Sequence, residues 1–377
     1  MTKNNQVGPI EGRPNPGEVM VDTAVFRLEG VTKRYGDLVA LNNATLEVGA
    51  NEYLSFLGPS GSGKTTLLRV IAGFEAPESG RVHFEGRDIT NVPAHERGIG
   101  FVFQNFALFP HLTVIQNVGF GLTHGKSGLS AAEVERRAVE MIELVGLSGM
   151  EGRGVDQISG GQRQRVALAR TLAMKPKLVL LDEPLGALDA NLRSRMRNEL
   201  RAIRERLGVT FLHVTGSETE ALAMGDRVVV LDRGTIIQTG TPGEVYDRPA
   251  SPDVAHFLNR FNLFDGQLAK GSFTGAFGTA PAPRATRADR DVYAVRYDRV
   301  KVLPVSAKPE GPALKATFIA SEYLGSSIMN FFDAGHGHPI EMEHHLSLGA
   351  PDIYEPRQDY LLTWNPEQAI VFGREAV

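Results

Sequence analysis

The stretch Gly58-Pro59-Ser60-Gly61-Ser62-Gly63-Lys64-Thr65 has the makings of a loop that holds phosphate. Glycine carries no Cβ, so backbone N–H groups can curl around phosphate oxygens at close range. Lys64 can reach the β- and γ-phosphates of a nucleoside triphosphate, and the Thr65 hydroxyl can bind Mg²⁺. A helix starting near Thr65 would aim its positive end at the same oxygens. Farther along, Asp182 and Glu183 close the apolar run Leu178 to Leu181. At the carboxyl end of a parallel strand, such a pair faces the crevice where ligands bind. One carboxylate can support a metal, and the other can polarise an attacking water. A third feature, Ser159-Gly160-Gly161-Gln162, precedes the apolar and basic stretch Arg163 to Met174. It reads as a second anion site, made of exposed amides at a helix start. Two γ-phosphate sites in one chain need an explanation.

These groups need elements to place them. Leu54 to Leu57 reads as a buried strand running into Gly58, and Thr65 to Ala72 as a helix. Val25 to Leu28 and Ala44 to Val48 read as short strands, and structure is expected from about Val25. Ser130 and Glu133 form a capping box. Val134, Ala138, Met141, Ile142 and Val145 then recur at helical spacing until Gly146. Leu178 to Leu181 suits a strand covered on both faces. Leu192, Met196, Leu200, Ile203 and Leu207 mark another helix, whose opposite face is rich in arginine and reads as solvated. Phe211 to Thr215 and Val228 to Leu231 add two strands. Strands alternating with helices predict an open, mostly parallel α/β sheet. After about Arg260 the composition shifts. Residues 266–290, rich in Gly, Ala, Pro and Arg, read as irregular loops or a loose linker. Strands follow at Tyr293 to Arg296, Leu314 to Ala320, Ile328 to Phe332, Tyr360 to Trp364 and Ile370 to Phe372, which predict a small all-β unit.

Composition bounds the function. The 377 residues exceed one comfortable core, so two domains are expected. A net charge of -4 is unlike the basic balance of nucleic-acid binders. With no cysteine, thiol catalysis, disulfides and Cys-ligated metal are excluded. There is no apolar run near the roughly 20 residues of a membrane helix, so work at a membrane implies docking on subunits that span it. Residues 1–24, with Pro9, Pro14 and Pro16, lack an apolar signal core and read as a flexible tail.

Taken in order, these motifs resemble the ATP-binding-cassette (ABC) family over about residues 25–250. The phosphate loop matches Walker A, and Leu178 to Glu183 matches Walker B. Ile158-Ser-Gly-Gly-Gln162 resembles the LSGGQ signature. Gln104 falls on the Q-loop glutamine, Gly186-Ala-Leu-Asp189 resembles the D-loop, and Tyr35 falls where the family stacks an aromatic on adenine. The fold implied is an α/β P-loop ATPase domain over 25–260, with a helical subdomain at about 105–175. The resemblance implies that Gly58, Ser60, Gly61, Ser62, Gly63, Lys64, Thr65 and Thr66 bind ATP with Tyr35. It places Thr65, Gln104 and Asp182 around Mg²⁺ and makes Glu183 the general base. It also explains the second anion site: two copies pack head to tail. Ser159, Gly160, Gly161 and Gln162 then cover the ATP of the other copy, and Asp189 links the copies. One position departs from the pattern. The family's switch histidine falls on Gly216, which has no side chain to meet the γ-phosphate, and this puts full catalytic speed in question.

Val295-Arg-Tyr-Asp-Arg-Val300, Tyr323-Leu-Gly-Ser326 and Trp364-Asn-Pro-Glu-Gln-Ala369 resemble the TOBE region of importer ATPases, over about residues 290–373. That implies a small all-β (OB/TOBE-like) regulatory domain over 261–377, of a kind found in polyamine, ferric-iron and sugar importers. The last two segments look closest to the polyamine type. The implied function is a homodimeric ATPase that drives import of a small solute. It would sit peripherally on the cytoplasmic face of the inner membrane, beneath two transmembrane permease subunits fed by an external solute-binding protein, with no nucleic acid. Two alternatives compete. One is a slow or lapsed ATP-binding regulatory partner, for which Gly216 is the sign. The other is an ABC ATPase acting on nucleic acid or ribosomes, which would usually carry paired cassettes or long coiled-coil insertions.

Overall fold

The computed structural model describes residues 24–125, 128–186, 190–258, 260–282, 285–335 and 337–374. The tail expected over 1–24 lies outside them, except that Ala24 already opens a strand.

β1 (Ala24–Tyr35) and β2 (Leu38–Gly49) form a long antiparallel hairpin, where the sequence reads two short strands. Register shifts between Leu28 and Val31, Val31 and Lys33, and Lys33 and Arg34 interrupt the period-two pattern and hide the rest of the hairpin. β3 (Tyr53–Leu57) leads into α1 (Lys64–Ala72). β4 (Ser79–Phe84) and β5 (Arg87–Asp88) complete an antiparallel sheet in the order β2-β1-β4-β5. β6 (Gly100–Val102) is followed by α2 (Val114–His124), α3 (Ala131–Leu144) and α4 (Gly160–Ala173), which pack on one another. All three start with a reciprocal capping box: Thr113 with Gln116, Ser130 with Glu133, and Ser159 with Gln162. The chain continues through β7 (Leu178–Asp182), α5 (Ala190–Leu207), β8 (Thr210–Thr215), α6 (Glu218–Met224), β9 (Arg227–Asp232) and β10 (Thr235–Gly240).

The second sheet has the order β10-β9-β3-β8-β7-β6, parallel from β9 to β6, with β10 antiparallel at one edge. Every residue of β3, β7 and β8 is buried, as the continuous apolar runs require. Alternate side chains serve opposite faces. Leu54, Phe56, Leu178 and Leu180 join α1 and the antiparallel sheet in one core. Tyr53, Val179, Leu181 and Phe211 join α2 to α5 in another. Arg97 is buried and donates to the carbonyls of Val70 (2.9 Å) and Ile71 (2.8 Å), which pins the far end of α1.

After α7 (Pro242–Asp247) and α8 (Pro252–Phe257) the structure is β-rich. The strands are β11 (Phe261–Ala269), β12 (Ser272–Gly275), β13 (Gly278–Pro281), β14 (Ala285–Arg287), β15 (Val292–Arg296), β16 (Lys301–Pro304), β17 (Ala313–Tyr323), β18 (Ser327–Asp333), β19 (Ile340–His345), β20 (Asp359–Thr363) and β21 (Ile370–Gly373). They form two sheets, β13-β12-β11-β15-β21-β14 and β16-β20-β17-β18-β19. The reading of 266–290 as loose linker is therefore wrong. Gly271 belongs to a tight turn: Lys270 and Gly271 both have positive φ (51° and 73°) in a two-residue hairpin between β11 and β12. Between the sheets lies an aromatic core, in which Trp364 stacks on Phe264 at 5.3 Å. The β-rich unit is packed against the parallel sheet, because Leu57, Val228 and Val230 share one buried cluster with Val254, Phe261, Val292 and Phe372. Among the described residues no helix is long and apolar enough to cross a membrane.

Candidate functional site

The phosphate loop runs from the buried end of β3 to the start of α1. Its shape depends on its glycines. Gly61 (φ 80°) and Gly63 (φ 102°) lie in the left-handed region. A Cβ on Gly63 would lie 2.4 Å from the Ala40 carbonyl oxygen of β2, so the hairpin is pressed against the loop. The turn between β9 and β10 closes in from another side. Gly234 donates its N–H to the Ser62 carbonyl (2.9 Å) and accepts from Asn42 (2.8 Å). Sequence reasoning passed over Gly234, although Asp232-Arg-Gly between two apolar runs is a hairpin signal.

Lys64 is buried. Its ammonium donates to the carbonyls of Gly58 (2.8 Å) and Pro59 (2.9 Å). Burial lowers its pKa, against the pull of Glu183 and Asp182. The next residue turns toward β7, where Thr65 Oγ1 donates to Asp182 Oδ1 at 3.3 Å. Burial raises the Asp182 pKa, and the hydrogen bond from Thr65 opposes it. Thr66 follows in the first turn of α1, and Ser60 is exposed at the tip of the loop.

Glu183 begins the turn after β7 with a left-handed backbone, φ 45°. Its N–H donates to the Val214 carbonyl (3.0 Å), and its carbonyl accepts from Gly186 (3.2 Å). Gln104, exposed just after β6, donates from Nε2 to Glu183 Oε2 at 3.0 Å. Thus Lys64, Thr65, Asp182, Glu183 and Gln104, spread over 120 positions of the chain, converge on the carboxyl ends of β3, β6 and β7. The segment after Gln104 is held from below. Arg170 of α4 donates to the carbonyls of Phe106 (2.9 Å) and Ala107 (2.7 Å), and both of these residues have positive φ.

Tyr35 ends β1, opposite Leu38 and close in the chain to the Ala40 carbonyl that meets Gly63. The residue is 42% exposed, with the Lys33 ammonium 5.2 Å from the ring centroid. An exposed ring at the end of this hairpin can stack on a base. Ser159 caps α4: its hydroxyl accepts from the Gln162 amide (3.3 Å), and Gln162 Oε1 accepts from the Ser159 amide (2.8 Å). Gly160 is exposed and open above, whereas a Cβ on Gly161 would press on Leu192 of α5 at 2.5 Å. Asp189 lies outside the described residues.

Gly216 is the exposed middle of the turn between β8 and α6. His213, three residues earlier, is fully buried against Tyr53 and cannot stand in for the absent switch side chain. Burial drives its pKa down to about 3, so the ring is neutral.

The ABC transporter family model matches residues 41–186. A sulfate/thiosulfate import ATP-binding protein of Caulobacter vibrioides is 50% identical over 257 residues, 68% of this chain and 76% of that protein. A spermidine/putrescine import ATP-binding protein of Nitrosomonas eutropha is 39% identical over 360 residues, 93% of this chain and 98% of that protein. Among solved structures, the dimeric post-hydrolysis state of the ATP-binding cassette MJ0796, bound to ADP and Pi, is 33% identical with a TM-score of 0.53. The match covers 58% of this chain and 98% of that one.

Proposed function

The chain belongs to the ATP-binding subunits of ABC importers, which hydrolyse ATP to drive transport, and from that premise we propose how its residues divide the work. The supporting observation is the meeting of Thr65 with Asp182 and of Gln104 with Glu183 beside the phosphate loop. Lys64 exchanges the Gly58 and Pro59 carbonyls for the β- and γ-phosphates, together with the amides of Gly58, Ser60, Gly61, Ser62, Gly63, Thr65 and Thr66. Tyr35 stacks on adenine. The oxygen donors of Thr65, Gln104 and Asp182 suit Mg²⁺, a hard cation. Bound there, Mg²⁺ would neutralise charge on the phosphates. Glu183, released by Gln104, accepts the proton of the attacking water. The rest of catalysis is positioning and electrostatics.

The second anion site completes the scheme in a dimer, where Ser159, Gly160, Gly161 and Gln162 face the γ-phosphate held by the other copy and Asp189 links the copies. We assign residues 25–260 to the ATPase domain and 261–377 to a TOBE-like regulatory domain. The dimer works on the cytoplasmic face of the inner membrane, beneath two permease subunits supplied by an external solute-binding protein. For cargo we favour a polyamine, because a relative that bears that name aligns over 93% of this chain and 98% of its own length. Sulfate is the second reading, favoured by the higher identity of the Caulobacter protein over a shorter span. The test is phosphate release from ATP by the purified chain, then labelled spermidine and sulfate uptake in cells with and without it. Mg²⁺-dependent release and loss of spermidine uptake alone are expected. Loss of sulfate uptake alone would reverse the choice of cargo, and no ATP hydrolysis with or without the permease would remove the scheme.

A further inference from the structure

Glu220 is a carboxylate buried to 3% exposure, and the scheme above gives it no part. It lies in the first turn of α6, immediately behind the turn that contains Gly216. A carboxyl group in such a place needs partners, and it draws them from two neighbouring elements, β8 and α5. Thr215 Oγ1, at the end of β8, donates to Glu220 Oε2 at 2.8 Å. The same hydroxyl oxygen accepts the Ser217 N–H at 3.0 Å. Ser217 in turn caps Glu220, its Oγ accepting the Glu220 N–H at 3.3 Å. On the other oxygen, Arg193 Nε of α5 lies 3.3 Å from Oε1. His213 Nε2 is 4.0 Å away, but the buried ring is neutral and supplies no charge.

These bonds close a ring around Gly216. The carboxylate orients the Thr215 hydroxyl, the hydroxyl holds Ser217, and Gly216 is the link between them. The same strand end supports the general base, since Val214, next to Thr215, accepts the Glu183 N–H. With no side chain at Gly216, the position of this turn relative to Glu183 rests on its supports. We propose that Glu220 is a positioning residue for hydrolysis. Through Thr215 it fixes the turn facing the attacking water, and through Arg193 it ties that turn to the first turn of α5, just after the segment containing Asp189. This rests on the ATPase reading and deepens it. Neither Glu220 nor Thr215 belongs to the phosphate loop, so nucleotide affinity should not depend on them.

The experiment uses the full chain and three variants: Glu220→Gln, Thr215→Val and Thr215→Ser. Valine keeps the bulk of threonine and removes both hydrogen bonds, whereas serine keeps them. Thr215→Val should lower kcat for ATP about tenfold or more, with KM within about threefold of native. Glu220→Gln should lower kcat severalfold, again with little change in KM. Thr215→Ser should stay within about threefold of native in both. A native kcat in Thr215→Val, or a Thr215→Ser variant as slow as Thr215→Val, would overturn the proposal. So would losses that appear in KM rather than kcat. If Glu220→Gln does not fold, the two Thr215 variants decide. Binding of a fluorescent ATP analogue to the native chain is measured first. If the native chain neither binds nor hydrolyses ATP, the underlying scheme has failed rather than the role of Glu220.

Discussion

Restoring a histidine at position 216 tests the least usual feature of the site. The substitution is sterically open. A Cβ built on Gly216 meets no atom within 4 Å, and the backbone there is not in the left-handed region that favours glycine. Replacing glycine at such a compatible position usually stabilises by about 0.4–1 kcal/mol through the unfolded chain, so Tm should hold or rise slightly. The gain in rate comes from a new donor to charge developing in the transition state, worth about 2.7–4 kcal/mol elsewhere. Ordering an exposed side chain removes about 1 kcal/mol of that. The remaining 2–3 kcal/mol or so corresponds to about 30–150-fold in kcat. The assay is steady-state phosphate release by Gly216→His and native protein at saturating Mg²⁺ and ATP, with KM measured alongside. An unchanged Tm with an unchanged kcat would refute the reasoning, because a fitting imidazole would then contribute nothing. A native chain already as fast as a histidine-bearing relative, each with its permease, would refute it too, because another group would then be filling the role.

Three further substitutions probe the rest. Lys64→Ala removes a charge-assisted contact worth about 1.5–3 kcal/mol and should weaken ATP binding at least tenfold by calorimetry; equal affinity would remove the role given to the loop. Glu183→Gln keeps the shape but not the basic oxygen, and should bind ATP, fail to hydrolyse it and dimerise with ATP and Mg²⁺ by light scattering. A variant that still hydrolyses ATP at the native rate would dismiss Glu183 as the base. His213 should make the fold acid-sensitive. Its folded pKa of about 3 lies below the ordinary 6.5, so only the unfolded chain takes up a proton between those values. Its contribution is therefore complete above pH 6.5 and is lost as pH falls toward 3, by about 2 kcal/mol at pH 5. His213→Phe should flatten the fall of Tm between pH 7 and pH 5, and equal slopes in the two proteins would discount the buried ring.

Much of the parallel sheet could be read from the chain because burial on both faces writes continuous apolar runs, as in Leu178 to Leu181. The phosphate loop was legible for a different reason, since its backbone tolerates few residue types. The long hairpin β1–β2 was half hidden because its register shifts scramble alternation. The glycines and prolines of 266–290 misled because composition does not separate a tight hairpin from a linker; only the φ values do. Glu220 lies only four positions after Gly216, yet its partners Thr215 and Arg193 lie 5 and 27 positions away, on β8 and α5. No local rule of spacing joins three elements that meet only after the sheet has formed.

The left-handed backbone at Glu183 sets durability against activity. A side chain beyond glycine in that conformation costs roughly 1–2 kcal/mol, and the fold holds it there with one hydrogen bond at each end of the residue. Glycine would relax that strain and forgo the hydrogen bond from Gln104. A laboratory selection for heat resistance alone would therefore find position 183 early and, with Glu183 as the proposed base, would harvest sturdier proteins that no longer turn over ATP. Programmes to harden this chain should hold that codon fixed and look for gains elsewhere.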